Sequence, residues 1–123
     1  MNMLISLGWI ALGGAAGSVA RALIGLALVS RFPLSTLLVN VTGSMLIGWL
    51  MVRFGSAEPA VSARMINLLV VGFCGGFTTF STFSWQTLEQ MQKGHWGAAI
   101  ANVLLSVTLC LFAVWLGFRL GRA

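Results

Sequence analysis

Four long apolar runs constrain this chain more than any other feature of its sequence. They cover residues 4–29, 34–54, 65–91 and 96–118, and the segments between them are short. A helix that crosses a bilayer needs about 20 largely apolar residues, and each run reaches that length. The sequence therefore predicts an all-α membrane protein with a single four-helix transmembrane domain over residues 1–123.

Charged residues are too scarce to coat a soluble globule. They make up 7% of the chain, whereas a soluble domain carries about 25%. The seven basic residues stand singly, mostly near the ends of the apolar runs, as they do around membrane helices. Nucleic-acid binding needs a clustered basic face, so we expect the lipid bilayer, and no nucleic acid, as a partner.

The cysteines and ionisable residues offer little chemistry. Cys74 and Cys110 each lie inside an apolar run, where a thiol behaves as a small hydrophobic group. A disulfide framework needs a Cys-dense secreted chain. One histidine and two acids cannot form a cluster of metal-binding side chains.

The first run has an alternative interpretation as a cleaved signal peptide, because small residues precede Ala20. However, a signal peptide requires a basic segment before its apolar stretch, and none is present. Gly13 and Gly17 also form a helix-packing pattern. We therefore predict a retained first helix.

Small residues recur at a spacing of four in the first two runs. The pairs are Gly13 and Gly17, Gly14 and Ser18, and Ser44 and Gly48. This spacing lets membrane helices approach closely, and packing within one subunit explains it without a dimer.

A dimer is predicted on other grounds. Four helices leave little room for a polar pathway lined on all sides, and a second copy supplies the missing walls. The basic residues are nearly balanced between the two membrane faces, which weakens the positive-inside bias and favours an antiparallel dimer. The side that holds the N-terminus carries Arg53, Arg64, Arg119 and Arg122. The opposite side carries Arg31 and Lys93, and also Arg21 if that residue is counted.

The third run contains the segment with the most chemistry, Gly75–Ser84. The pair Gly75-Gly76 lies near its middle and weakens helix continuity. Freed backbone groups at membrane depth need protein, ion or water to satisfy them, and unwound carbonyls can coordinate a cation. We therefore predict a break near residues 75–79. Five hydroxyl residues follow the glycines, namely Thr78, Thr79, Ser81, Thr82 and Ser84.

Aromatic residues alternate with these hydroxyls. Phe77, Phe80 and Phe83 recur every third residue, so we expect them to share one helical face, either as core or as part of a pathway. The edge of an aromatic ring is electropositive, and neutral donors suit an anion that must leave as readily as it enters. Further candidate donors are Asn40 and Thr36, one turn apart in the second run, and Ser106 and Thr108 in the fourth.

Arg21 is the one charge well inside an apolar run. An intramembrane charge is a candidate functional group, but snorkelling of the side chain to the interface explains it equally well. Either arrangement puts positive charge near a pore mouth, where it concentrates anions.

Three motifs together resemble the Fluc (CrcB) family of fluoride channels. The likeness extends over all four runs, and the third motif is highly specific. The motifs are Gly13-Gly14-x-x-Gly17-Ser18-x-x-Arg21, Pro33-x-x-Thr36-Leu37-x-x-Asn40-x-x-Gly43, and Gly72-x-x-Gly75-Gly76-x-Thr78-Thr79-Phe80-Ser81-Thr82-Phe83-Ser84.

This resemblance implies a channel and not an enzyme, in the bacterial plasma (inner) membrane. It implies a dual-topology antiparallel homodimer with two pores that exports fluoride passively and protects the cell from fluoride toxicity. Backbone carbonyls of Gly75 and Thr78 would hold a structural sodium ion at the dimer centre that is not transported. The implied fluoride pathway comprises Arg21, Thr36, Asn40, Phe80, Ser81, Thr82, Phe83, Ser84 and Ser106.

Two departures from the family pattern leave alternatives open. Gln86 stands where the family often has an acid, and Cys110 where several relatives have a serine, so a heterodimer stays open. The main rival function is a small proton-coupled multidrug-type exporter. Such coupling needs a titratable group deep in the membrane, and the only acids are Glu58, in a loop, and Glu89, near the end of the third run.

Overall fold

The computed structural model describes all 123 residues and contains four helical spans long and apolar enough to cross a membrane. The prediction of an all-helical chain with four long apolar helices is thereby confirmed. Helix α1 covers Met3–Ala27 and α2 covers Leu34–Gly55. The third span, Pro59–Gln92, is composite. The fourth span is α6, Trp96–Arg122.

The third span consists of four consecutive pieces. It begins as α3 (Pro59–Met65), continues as a π-helix (Ile66–Cys74) and ends its first half with α4 (Gly75–Phe77). Its second half is α5 (Phe80–Gln92). The span begins at Pro59, before the apolar run, because Glu58 accepts a hydrogen bond from the Val61 amide and proline suits the first helical turn.

The spans pack in two close pairs, α2 with α6 and α1 with the first half of the third span. Glycines make both crossings possible. A Cβ atom on Gly13 would overlap the Leu68 carbonyl, and one on Gly117 would overlap the Met45 carbonyl. In lipid, this backbone approach is a main source of helix association. The glycine motifs are thus used for packing within one subunit.

The break in the third span lies at two threonines. Thr78 (φ −85°, ψ 158°) and Thr79 (φ −153°, ψ 114°) are extended, a conformation that β-branched side chains favour. The pair Gly75-Gly76, expected to interrupt the helix, is helical. Gly76 instead packs closely against α1. A Cβ atom on Gly76 would lie 2.9 Å from the Ser18 hydroxyl, so the absence of a side chain allows this approach.

Candidate functional site

Asn40 holds the extended backbone of the break from the side of α2. Its Nδ2 donates to the Thr79 carbonyl at 3.0 Å, and the Thr79 amide donates to its Oδ1 at 2.7 Å. One amide side chain thereby satisfies both backbone groups of the residue at which the helix is interrupted. Unpaired backbone groups at membrane depth are costly, so Asn40 stabilises the break.

Arg21 reaches the break from the side of α1. Its Nε donates to the Gly76 carbonyl at 3.0 Å, and the Ser18 hydroxyl lies 3.5 Å from the same oxygen. The half-buried Arg21 side chain is therefore bound at the break and does not snorkel away from it.

Thr79 also begins the second half of the span. Its Oγ1 accepts a hydrogen bond from the Thr82 amide at 3.2 Å and donates to the Thr82 hydroxyl at 3.0 Å, which is the pattern of a helix N-cap. The exposed Ser81 hydroxyl lies 3.4 Å from Thr79 Oγ1. Ser84 donates back to the Phe80 carbonyl at 2.9 Å. Several predicted hydroxyls are thus engaged with the local backbone.

The phenylalanines divide into two groups. Phe80 and Phe83 form a tilted pair with ring centroids 5.3 Å apart, and Phe80 is 78% exposed. Phe77 is buried and stacks on Phe73. The expectation that Phe77 shares a face with the other two is wrong, because the extended Thr78 and Thr79 change the direction of the helix between them.

A cavity of about 620 Å³ lies between α2, the third span and α6. We call it the interface cavity because it opens on the surface beside the exposed Phe80. Most of its wall is apolar, but it gathers many of the residues predicted for the site. These are Asn40, Gly75, Thr78, Thr79, Phe80, Phe83 and Ser106, together with Cys74 and Cys110.

A second cavity of about 220 Å³ is lined mostly by residues with polar side chains and contains the remaining predicted residues of the interior. We call it the inner cavity. Arg21, Thr36 and Thr82 line it together with Gln86, and Thr79 lines both cavities. Thr36 and Asn40, one turn apart on α2, therefore line different cavities. Ser81 and Ser84 are exposed and line none of the principal cavities, and Thr108 is also exposed.

A buried polar chain beside Phe83 was missed in the sequence analysis. Asn102 is 1% exposed, and its Nδ2 donates to Thr87 Oγ1 at 2.9 Å. Thr87 donates to the Phe83 carbonyl at 2.8 Å, and Ser106 Oγ lies 3.4 Å from Asn102 Oδ1. The signal was available, since Asn102 lies one helical turn before Ser106 in a largely apolar run.

Neither acid lies at the break. Glu58 caps α3, and Glu89 pairs with Lys93 at 2.9 Å near the end of α5. No carboxylate lines the interface cavity or the inner cavity. The group that proton coupling requires at membrane depth is absent from both.

The four apolar spans, the interrupted third span and the cavities around its break are typical of integral membrane proteins of the channel and transporter class. Irregular backbone at membrane depth that lines cavities is the arrangement by which such proteins form ion sites.

Comparison with known proteins gives the family. Residues 8–118 match the family described as CrcB-like protein, Camphor Resistance (CrcB), and the chain belongs to this family. A Magnetococcus marinus relative is 43% identical over 122 residues, covering 96% of this chain and 98% of the relative. Relatives from Solibacter usitatus (47% identical, 92% and 95% covered) and Opitutus terrae (48% identical, 89% and 86% covered) are similar. All three relatives are named fluoride-specific ion channel FluC.

Proposed function

We propose that this chain is a fluoride-specific ion channel, and not an enzyme. It lets fluoride leave the cell down its electrochemical gradient and so protects the cell from fluoride toxicity. The observation that carries the proposal is identity of 43–48%, over nearly the whole chain, to relatives that bear this name. The lack of a carboxylate at the break disfavours the proton-coupled exporter.

The proposed pathway runs along the second half of the third span. Arg21 supplies positive charge at the inner cavity, where it raises the local anion concentration. Thr82 and Thr36 offer hydroxyl donors there. On the interface cavity the remaining N–H of Asn40 offers a donor, whereas the Ser106 hydroxyl already donates to Asn102 Oδ1. The ring edges of Phe80 and Phe83 stabilise a small anion without binding it tightly.

The proposed assembly is an antiparallel homodimer whose interface covers the interface cavity. Asn40, Thr78, Thr79 and Ser106 place polar groups in the otherwise largely apolar wall of that cavity, and polar groups facing lipid are costly. A second copy removes this cost and also covers the exposed ring of Phe80. The nearly balanced basic residues on the two membrane faces suit a chain that inserts both ways.

A structural sodium ion at the dimer centre fits the backbone of the break. In a continuous helix the Thr79 amide would donate to the Gly75 carbonyl, but here it donates to Asn40. The Gly75 carbonyl is thereby free, and the space beside its Cα is open. Carbonyls of Gly75 and Thr78 from both subunits would hold the ion, which supplies a positive charge that bridges the subunits.

The function is tested by fluoride efflux from liposomes containing the purified protein, measured with a fluoride electrode near neutral pH. A potassium ionophore clamps the voltage, and protein-free liposomes and chloride efflux are the controls. Fluoride efflux that follows the electrochemical gradient without a pH gradient supports the channel. Efflux that strictly requires a proton gradient contradicts it.

The sodium ion is tested by replacing sodium with a large organic cation while the membrane potential is held constant. Loss of fluoride flux together with dissociation of the dimer is expected, because the carbonyls of the break then lack their shared cation. A sodium-free protein that keeps both its flux and its dimeric mass contradicts the sodium site.

A further inference from the structure

Arginines without partners gather at the end of the molecule that holds the N-terminus, away from the site described above. They are Arg53 in the last turn of α2, Arg64 in α3, and Arg119 and Arg122 near the end of α6. All four are exposed. Arg21 is the only arginine that donates a hydrogen bond to the protein, and the only ion pair joins Lys93 to Glu89 at the opposite end. The four guanidinium groups therefore have no acceptor within the protein.

The charge of this end is strongly positive. Glu58 is its only acid, and the carboxylate of Glu58 already accepts a hydrogen bond from the Val61 amide at 3.3 Å. Four arginines against one glutamate leave three net positive charges. A surface of one sign raises the local concentration of groups of the opposite sign, so this end attracts anionic groups.

Two of the arginines fold over aromatic rings on α6. The guanidinium carbon of Arg122 lies 4.5 Å from the centre of the Phe118 ring, and that of Arg119 lies 5.8 Å from the Trp115 ring. Each ring lies four residues before its arginine, so both side chains point back along the helix towards the membrane. A side chain that snorkelled into water would extend the other way. The two charges are therefore held beside the membrane and not in bulk water.

The length of α6 places these groups among the lipid headgroups. Its 27 residues span about 40 Å, which exceeds the apolar thickness of a bilayer by about 10 Å. The last turns therefore extend into the headgroup region, where tryptophan rings are common. The rings of Trp115 and Phe118 are both exposed, so they are available to lipid.

The ends of α2 and α6 lie side by side. A Cβ atom on Gly121 would lie 2.8 Å from the Val52 Cβ, and the next residues of the two helices are Arg122 and Arg53. Arg119 is three residues before Arg122 and lies on the same side of α6. Three guanidinium groups from two adjacent helix ends thus belong to one surface.

The phosphate of an anionic phospholipid is the ligand that fits this surface. A guanidinium can stack on a ring with its face while the N–H groups at its edge bind phosphate oxygens in pairs. A zwitterionic headgroup would also bring an ammonium group, and the only acid at this end, Glu58, is already bound to the Val61 amide. An acidic peptide would approach from water, whereas Arg119 and Arg122 point towards the membrane.

We propose that the adjacent ends of α2 and α6 bind the headgroup phosphate of an anionic phospholipid. Arg119 and Arg122 donate to the phosphate, Arg53 adds a neighbouring positive charge, and the acyl chains lie along Trp115 and Phe118. The site is separate from the ion pathway and does not depend on which ion the protein conducts. In an antiparallel dimer the two copies present one such site to each leaflet.

The test is native mass spectrometry of the detergent-solubilised protein titrated with dioctanoylphosphatidylglycerol, with dioctanoylphosphatidylcholine as the zwitterionic control. We expect tighter binding of the anionic lipid to the wild type. Arg122→Gln is expected to weaken this binding about fivefold, and Arg119→Gln with Arg122→Gln about 25-fold. Arg31→Gln is the matched control, because it removes the same charge from an exposed position at the other end. We expect it to change the binding less than about twofold.

Trp115→Leu separates a built site from general charge attraction, because it removes a ring and no charge. It is expected to weaken binding of the anionic lipid about threefold. If the double variant does not assemble, Arg122→Gln and Trp115→Leu carry the same test.

Three results would overturn the site. The first is equal binding of the two lipids to the wild type. The second is a loss in Arg31→Gln as large as that in Arg122→Gln, which would show charge attraction without a site. The third is displacement of the lipid by glycerol phosphate at an equal concentration, which would show a site for free phosphate esters. Unchanged binding in both Arg122→Gln and Trp115→Leu would contradict the proposed contacts.

Discussion

Replacing Asn40 by alanine removes both hydrogen bonds that hold Thr79 at the break. Side-chain hydrogen bonds between membrane helices average about 0.6 kcal/mol, so two of them set a lower limit of about 1 kcal/mol for the loss of stability. The backbone amide and carbonyl of Thr79 are then both left unpaired, at about 1–3 kcal/mol each when buried. The upper limit is therefore about 6 kcal/mol.

Thermal unfolding of the detergent-solubilised protein measures this loss, and fluoride efflux from liposomes measures the functional effect. We expect Asn40→Ala to lower the unfolding midpoint by about 4 °C or more and to reduce the flux, because the break no longer keeps its geometry. Thr42→Ala is the control, since the exposed Thr42 hydroxyl bonds only to the Leu38 carbonyl of its own helix. Lost flux with an unchanged midpoint would refute the role of Asn40 in holding the break and would leave it only a role as an ion ligand.

Three further predictions follow from the packing and charge of the chain. Phe80→Ile and Phe83→Ile are expected to reduce fluoride efflux while the dimer stays intact on size-exclusion chromatography, and unchanged flux in both contradicts the aromatic lining. Gly117→Ala is expected to destabilise the protein by about 1–3 kcal/mol in thermal unfolding, because its Cβ would overlap the Met45 carbonyl; equal stability to the wild type contradicts this crossing. Arg31→Gln is expected to lower fluoride conductance about twofold at low ionic strength and little at high ionic strength, and a salt-independent effect contradicts charge steering.

The four spans could be predicted from hydropathy because each must cover the apolar thickness of a bilayer. The close packing of α1 at Gly13 and Gly17 could also be predicted, because these glycines recur at a spacing of four and close backbone approach needs small residues. Both predictions depend on local signals, because the composition and order of the residues within a single run are enough to make them.

The details of the break could not be predicted in the same way. The glycine pair drew attention to residues 75–79, but the interruption depends on Asn40, which lies 39 positions away in the chain. The helical state of Gly76 likewise depends on its contact with α1. The buried bond between Asn102 and Thr87 also joins two spans. Such pairings follow from the packing of helices against one another and leave no periodic pattern in the sequence.

The most direct test of the account is the reversal potential of single-channel current in a planar bilayer with a fluoride gradient, recorded with and without a pH gradient and with chloride as a competing anion. The account predicts reversal at the fluoride equilibrium potential, unchanged by the pH gradient or by added chloride. A reversal potential that moves with the pH gradient would contradict passive fluoride conduction, and one that moves with chloride would contradict selectivity for fluoride.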